Sequence, residues 1–213
     1  MTIWYLARAT GMVALIAFTL AVVLGAASSD SNLPRTTAPE LVRRAIDQRV
    51  LRQLAHRSAA LVGLGALGMH IVLILLDHYA SVSFAGALIP FSAESATFAV
   101  GLGTLAVYVL VAVALSGLGR ATMASSPGSA RRWRSIHVLA YAGWTLTMGH
   151  SILNGTDTGA LWATAIYVAC GIAVPVAVWG RLGRSDRHTD DPLTAARRRA
   201  HTEPGASDAG VRS

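Results

Sequence analysis

Long apolar stretches separated by short polar connectors make up most of this chain. A bilayer core about 30 Å thick requires about 20 apolar residues per helix. The pattern predicts an all-α, multi-pass transmembrane helical bundle of about five spans, at residues 4–27, 54–76, 97–118, 136–153 and 161–180. The connector 77–96 is too short and too broken by Pro90 to cross. In the connector 28–53, apolar residues recur every four positions from Val42 to Leu54, which predicts an interfacial helix leading into span two.

Composition supports the membrane assignment. Of 213 residues, 53% are hydrophobic and 14% charged, and the mean hydropathy is +0.49, far from that of an average soluble domain. The net charge of +7 comes from arginines that flank apolar spans, so we expect the lipid bilayer, and not nucleic acid, as the partner. A lone cysteine, Cys170, excludes an internal disulfide or a four-cysteine iron–sulfur site. The polar residues 181–213 are predicted to be a disordered tail.

The arginines also predict an orientation. Seventeen of the eighteen lie before span two, before span four or in the tail, leaving only Arg8 in span one. The positive-inside rule then places the N-terminus outside a plasma membrane and the C-terminus in the cytoplasm. A signal peptide is the competing interpretation of the first apolar stretch. We favour a retained span, because no basic segment precedes the apolar run.

Span two carries two histidines, His56 and His70, fourteen residues apart. A helix turns about 100° and rises about 1.5 Å per residue, so the imidazoles lie within about 40° of each other and about 21 Å apart. Gly63 lies midway on the same face, where a missing side chain would leave room for a large flat ligand. Intramembrane ionisable residues are costly and usually functional, which makes this face the first candidate site.

Span four repeats the pattern with His137 and His150, thirteen residues apart. Spans two and four run in the same direction, so His56 is level with His137 and His70 with His150. Two axial pairs for two stacked haems are predicted, with a single haem on one pair as the alternative. Thirteen residues leave His150 about 140° short of whole turns from His137. Span four must therefore be overwound, bent or used at two faces, and Gly143 and Gly149 are candidate places for that distortion.

The segments HRSAALVGLGALGMH and HVLAYAGWTLTMGH, with one span between them, resemble the hallmark of the ferric-reductase-like transmembrane domain family. That family includes ferric reductases, NADPH oxidases and the haem subunit of bacterial methionine sulfoxide repair. The likeness covers residues 4–180, and WYLARATG in span one is similar to the short actinobacterial type. The resemblance implies b-type haem between the two histidine helices and one-electron transfer across the membrane.

The chain departs from the larger members of this family at its C-terminal end. No GxGxxG follows span five, so we expect no FAD or NAD(P) site in this chain. A separate flavoprotein or a quinol would supply electrons. The acceptor would be ferric iron, an extracellular flavoprotein or oxygen. We expect an oxidoreductase component in which no side chain acts as general acid, base or nucleophile.

Several further residues have two interpretations each. Arg8, about a turn inside the outer surface, would pair with a propionate of the outer haem or extend to the lipid headgroups. Arg57 would serve the inner haem similarly or act as a topology signal. Trp133 and Trp144 would lie near a haem edge, anchor the interface or pack. Asp77 and His78 are weak candidates for a metal site.

Two other functions remain open at this stage. One is a quinol-oxidising cytochrome b anchor, which would be reduced from within the membrane. The other is a non-redox transporter or assembly protein, in which the histidines relay protons or line a polar path. Haem content separates the second from both redox functions.

Overall fold

The computed structural model describes residues 2–28, 38–78, 80, 82–119 and 127–189. These residues form seven helices and no strand, so the all-α prediction is confirmed for this part of the chain. The helices are α1 (Thr2–Ala27), α2 (Pro39–Leu76), α3 (Phe84–Leu88), α4 (Thr97–Leu118), α5 (Pro127–Val138), α6 (Ala140–Asn154) and α7 (Leu161–Thr189).

Four of these helices, α1, α2, α4 and α7, are long and apolar enough to cross a membrane. The predicted span 136–153 is divided between α5 and α6. The fifteen residues of α6 measure about 22 Å, which is less than a bilayer core. A fifth crossing would need α5 and α6 together, and the five-span count stays a prediction.

Helix α2 is one continuous helix of 38 residues, about 57 Å long. The predicted interfacial helix is its N-terminal part and not a separate element, because no proline or glycine interrupts the chain between Pro39 and Gly63. Pro39 is the first residue of the helix, where a backbone N–H would have no partner within the helix. It follows Ala38, which is in an extended conformation. The backbone becomes extended again at Asp77, which ends the helix.

The predicted span four is interrupted at Leu139. Its N–H bonds to the carbonyl of Ile136, three residues back, at 3.0 Å, and its own carbonyl accepts from Gly143 N–H at 2.9 Å. A three-residue bond tightens the turn locally and separates α5 from α6. The distortion expected in this span therefore lies at Leu139, and not at Gly143 or Gly149.

Helix α7 contains Pro175 and continues through it to Thr189. The predicted boundary at 180 thus lies inside a helix, and residues 181–189 of the predicted tail are helical. The rest of the tail, 190–213, lies outside the described residues. Near the cytoplasmic end assigned by the arginines, Arg181 donates to the hydroxyl of Tyr141 at 3.2 Å.

The largest buried cluster lies where α1, α6 and α7 meet. Leu15 and Ala163 are fully buried there beside Trp144, Tyr167 and Cys170. The Trp144 indole N–H donates to Thr19 Oγ1 at 2.9 Å, which satisfies the polar atom of a buried ring. Trp144 therefore packs and bonds within the bundle, and Cys170 is a buried free thiol.

Candidate functional site

The four histidines of α2 and the α5–α6 segment lie in two pairs, each with one ring from α2 and one from the α5–α6 segment. The ring centroids of His56 and His137 are 6.0 Å apart with planes at 64°. Those of His70 and His150 are 6.3 Å apart with planes at 76°. These are the pairs expected from the spacing. We refer to His56–His137 as the inner pair and His70–His150 as the outer pair, after the predicted orientation.

Both α2 histidines are held by α1. Their Nδ1 atoms lie 2.7 Å from backbone carbonyl oxygens, that of His56 from Ala21 and that of His70 from Ala7. A carbonyl only accepts, so each Nδ1 carries the proton and donates. The two acceptors are fourteen residues apart on α1, the same interval as the histidines on α2.

Helix α4 holds the other two histidines. His150 Nδ1 donates to the carbonyl of Ala99 at 2.8 Å. His137 Nδ1 lies 3.4 Å from Ser116 Oγ, whose own proton goes to the Val113 carbonyl at 2.7 Å. The serine oxygen can therefore only accept from His137, through a longer bond than the other three.

These contacts set the tautomer that metal binding requires. With the proton on Nδ1, the lone pair is on Nε2. A metal–imidazole nitrogen distance of about 2.0 Å puts the centroids of two rings on opposite sides of one ion about 6 Å apart, as in both pairs. Metal-ligating histidines usually donate their other N–H to a carbonyl. Both pairs thus fit two axial ligands of a single metal ion.

The number of protein ligands narrows the class of metal site. Across the part of the chain that the structure describes, no group of three or more histidine, cysteine or carboxylate side chains comes together. Structural zinc uses four protein ligands, whereas haem iron takes four nitrogens from its macrocycle and one or two ligands from the protein. Two imidazoles per site therefore suit haem.

Helix α2 and the α5–α6 segment are not packed closely against each other along their length. Helix α2 packs along α1, and α6 packs along α4, but within the described ranges no extended packing joins α2 to α5 or α6. The two histidine helices instead approach each other through their imidazole rings.

An apolar layer separates the two pairs. A Cβ on Gly63 would lie 2.9 Å from two atoms of the Phe18 ring, and one on Gly143 would lie 3.0 Å from Leu110 Cδ2. Phe18 and Leu110 are both 5% exposed. The space that we expected a ligand to use at Gly63 is thus occupied by Phe18 of α1, and the glycine permits close packing of α1 on α2.

The interruption at Leu139 explains how a thirteen-residue interval serves the site. Gly63 lies seven residues from each histidine of α2, whereas Gly143 lies six residues after His137 and seven before His150. The missing residue thus falls in the segment that contains Leu139. Because α5 and α6 are separate helices, their relative rotation is not fixed at 100° per residue, and both histidines face α2.

The structure places Arg8 against the carboxylate of Asp157, in the connector between α6 and α7. The guanidinium also lies 5.6 Å from the Tyr5 ring centroid. Arg8 thus has a protein partner at the predicted outer end, where a haem propionate was expected. Arg57 is exposed.

Trp133 stacks on one ligand of the inner pair. Its ring centroid lies 5.1 Å from that of His137, with planes at 22°.

Of the two weak metal candidates, Asp77 is buried and His78 is exposed, and no third ligand joins them among the described residues.

Sequence reasoning did not identify the hydrogen-bond acceptors of the histidines. The acceptors are the carbonyls of Ala7, Ala21 and Ala99 and the hydroxyl of Ser116. Three are backbone atoms, which carry no residue-type signal. The fourteen-residue recurrence of small residues on α1 and α4 is the one pattern that would have indicated them.

No protein-family model, curated protein or solved structure matches this chain.

Proposed function

We propose that this protein is a haem b-containing membrane electron-transfer subunit of a reductase, with two haems held by the inner and outer histidine pairs. The observation that carries the proposal is the pairing itself. Two bis-imidazole arrangements lie about four helical turns apart, at the centroid separation of ligands sharing one ion. Haem supplies one-electron oxidation and reduction when bound.

The side chains and backbone of this chain have four roles in this function. The histidines supply Nε2 lone pairs, and α1 and α4 fix the orientation of the rings through Nδ1. The Phe18–Leu110 layer keeps the two sites apart. The surrounding helices exclude water, and a low dielectric around each site contributes to its reduction potential.

The apolar layer also distinguishes this function from a proton relay. A relay between the pairs would need polar side chains or water at intermediate depth. Between them lie Phe18, Leu110, Gly63 and Gly143, with Ala14 alongside. The buried hydroxyls at this depth, those of Thr19 and Thr147, donate to carbonyls of their own helices, at 2.8 and 2.9 Å. Electron transfer needs no such polar path, and the layer therefore supports the redox proposal.

The predicted orientation suggests the partners. The exposed arginines at the inner ends of α2 and α5 are typical of a cytoplasmic face. We propose a separate donor, either a flavoprotein or a quinol, and an acceptor at the outer face that is ferric iron, an extracellular flavoprotein or oxygen. The resemblance to the ferric-reductase-like family supports this assignment.

The dithionite-reduced minus oxidised absorbance spectrum of the purified protein tests the proposal, with haem quantified per chain. We expect a b-type spectrum and two haems per chain, falling to one in His70→Ala and in His137→Ala. His78→Ala, which changes an exposed histidine outside the pairs, serves as the control and should retain two. Protein that binds no haem when expressed with ample haem would contradict the proposal.

Reduction by added quinol separates the two classes of donor. A quinol-fed anchor is expected to be reduced by a water-soluble quinol in the absence of any flavoprotein. A flavoprotein-fed subunit should respond only when a reduced flavoprotein is present.

A further inference from the structure

Helices α1 and α4 carry none of the four histidines, yet a glycine of one or the other lies beside each ring. These glycines are Gly11 and Gly25 on α1, and Gly103 and Gly117 on α4, fourteen residues apart on each helix. For three of the glycines, the residue four positions earlier accepts from the histidine through its carbonyl: Ala7, Ala21 and Ala99. Four positions before Gly117, the Val113 carbonyl accepts from the Ser116 hydroxyl, whose oxygen lies 3.4 Å from His137 Nδ1. The arrangement thus occurs three times directly and once with a serine between carbonyl and histidine.

At three of the four glycines an added Cβ would be tight against the imidazole, and at Gly103 the ring would have to move. A Cβ would lie 2.8 Å from His150 Nδ1 at Gly103, 3.0 Å from His70 Nδ1 at Gly11, and 3.2 Å from His56 Cε1 at Gly25. At Gly117 the nearest ring atom, His137 Cε1, would be 3.9 Å away. The looser contact coincides with the histidine whose Nδ1 lies near a hydroxyl, that of Ser116, at 3.4 Å.

The same positions relate the two halves of the bundle. In the first half, α1 supplies glycines at 11 and 25 with Phe18 midway, and α2 supplies histidines at 56 and 70 with Gly63 midway. In the second, α4 supplies glycines at 103 and 117 with Leu110 midway, and the α5–α6 segment supplies histidines at 137 and 150 around Gly143. The midway residues also pack alike, Phe18 on Gly63 and Leu110 on Gly143.

We propose that the bundle contains two copies of one helix-pair unit, and that Gly11, Gly25, Gly103 and Gly117 are positioning residues for the histidines. Each glycine lets the edge of the ring that carries Nδ1 come close to the neighbouring helix. The carbonyl one turn earlier can then reach Nδ1 and leave Nε2 directed away from that helix. This inference rests on the proposed function only for the identity of the metal group.

A side chain at such a position would push the ring away from its acceptor. Nδ1 would then lose its partner, and both the tautomer and the direction of Nε2 would no longer be fixed. The effect should be confined to the site containing that histidine, because the apolar layer separates the two pairs.

Gly103→Ala is the sharpest test, with Gly65→Ala and Gly68→Ala as matched controls. The two control glycines lie on α2 with no neighbouring atom within 4 Å of an added Cβ. We expect Gly103→Ala to lose about tenfold in haem affinity at the outer site, as is typical when a partner of a metal ligand is removed, and to retain the inner haem. Gly11→Ala should show a smaller loss at the same site, and the controls none.

Haem affinity in Gly103→Ala and Gly11→Ala equal to that in Gly65→Ala would overturn the proposal. Equal losses at both sites would overturn it too, since they would indicate a general packing defect. Low-spin electron paramagnetic resonance signals, recorded beside haem content, report ligand orientation site by site.

A measurement on haem-free protein separates this inference from the proposed function. In protein labelled with ¹⁵N-histidine, the Nδ1–H resonance of His150 should move in Gly103→Ala, while that of His56 stays in place. If the histidine Nδ1–H resonances do not move in folded, haem-free Gly103→Ala and Gly11→Ala, the positioning role is contradicted. If the variants show these shifts but the wild-type protein binds no haem, only the proposed function is contradicted.

Discussion

The inner and outer histidine pairs share a design but differ in how firmly their rings are held. In the outer pair, both Nδ1 atoms donate to backbone carbonyls, at 2.7 and 2.8 Å. In the inner pair, His56 has such a bond at 2.7 Å, whereas His137 Nδ1 lies 3.4 Å from the Ser116 hydroxyl and its ring stacks on Trp133. A carbonyl acceptor makes imidazole a stronger electron donor to a metal. The outer site is thus the more electron-rich of the two.

The placement of charged residues also favours a higher reduction potential at the inner site than at the outer site. Exposed arginines lie near the inner end of the bundle, at the start of α2 and along α5, whereas the outer end carries the Arg8–Asp157 pair. Positive charge favours an added electron, even after screening by salt. Both effects lead us to expect a higher reduction potential at the inner site. Electron flow from inside to outside would then depend on the acceptor or on the membrane potential.

The largest expected effect comes from removing one site at a time. A redox titration of the wild-type protein should show two components, and His150→Ala and His56→Ala should each retain one. The component that remains in His150→Ala is expected to be the one of higher potential, because only the inner pair is then intact. The reverse assignment would refute the ordering derived from the hydrogen bonds and charges.

Phe18→Ala should affect both pairs alike, which tests whether the layer between them is shared. Truncating a buried phenylalanine typically costs about 3–5 kcal/mol. We expect a comparably large loss of thermal stability in detergent, with similar haem loss from both sites. Phe84→Ala, which removes a ring that is 70% exposed on α3, is the control for a lost aromatic. A loss confined to one site would show that Phe18 serves that pair alone.

Ser116→Ala is expected to act on the inner site only. Removing the acceptor of His137 Nδ1–H weakens the donor strength of that ligand and raises the inner potential. A net hydrogen bond is worth about 1 kcal/mol, and a tenfold change for one electron is about 59 mV, so the shift should not exceed about 40 mV. Ser135→Ala, an exposed hydroxyl bonded to the Arg131 carbonyl, controls for loss of a serine. An unchanged inner potential would mean that the 3.4 Å contact has no effect on the ligand.

The features of the fold and site that depend on residue type were predictable from the sequence, whereas those that depend on local backbone geometry were not. Apolar stretches of sufficient length predicted the helices, and the histidine spacing predicted the two pairs that the structure brings together. A distortion of span four was expected at Gly143 or Gly149, but it lies at Leu139, since a local three-residue turn has no residue signature there. The continuity of α2 was missed because an amphipathic pattern was interpreted as a separate helix, although no breaker separates it from the span.

The partner of Arg8 shows the limit of sequence reasoning about charges. Asp157 lies 149 residues away in a connector, so no spacing rule brings it to Arg8, and only the packing of α1 against α6 and α7 does. The propionate expected for Arg8 was an inference from depth alone. Depth places a charge at one end of the bundle but does not select its partner.

Asp157→Asn should produce the smallest change in reduction potential. It should narrow the difference in potential between the inner and outer sites. The side chains of Arg8 and Asp157 are 25% and 28% exposed, so the ion pair contributes at most about 1 kcal/mol to stability. Without the carboxylate, the Arg8 charge is no longer neutralised near the outer pair, and the outer potential should rise by a few tens of mV at most while the inner one stays constant. Raising the salt concentration should reduce that rise, because a partly exposed charge is screened. Arg8→Gln should lower the outer potential instead, and shifts of the same sign in both variants would show that the pair acts through packing and not through its charge.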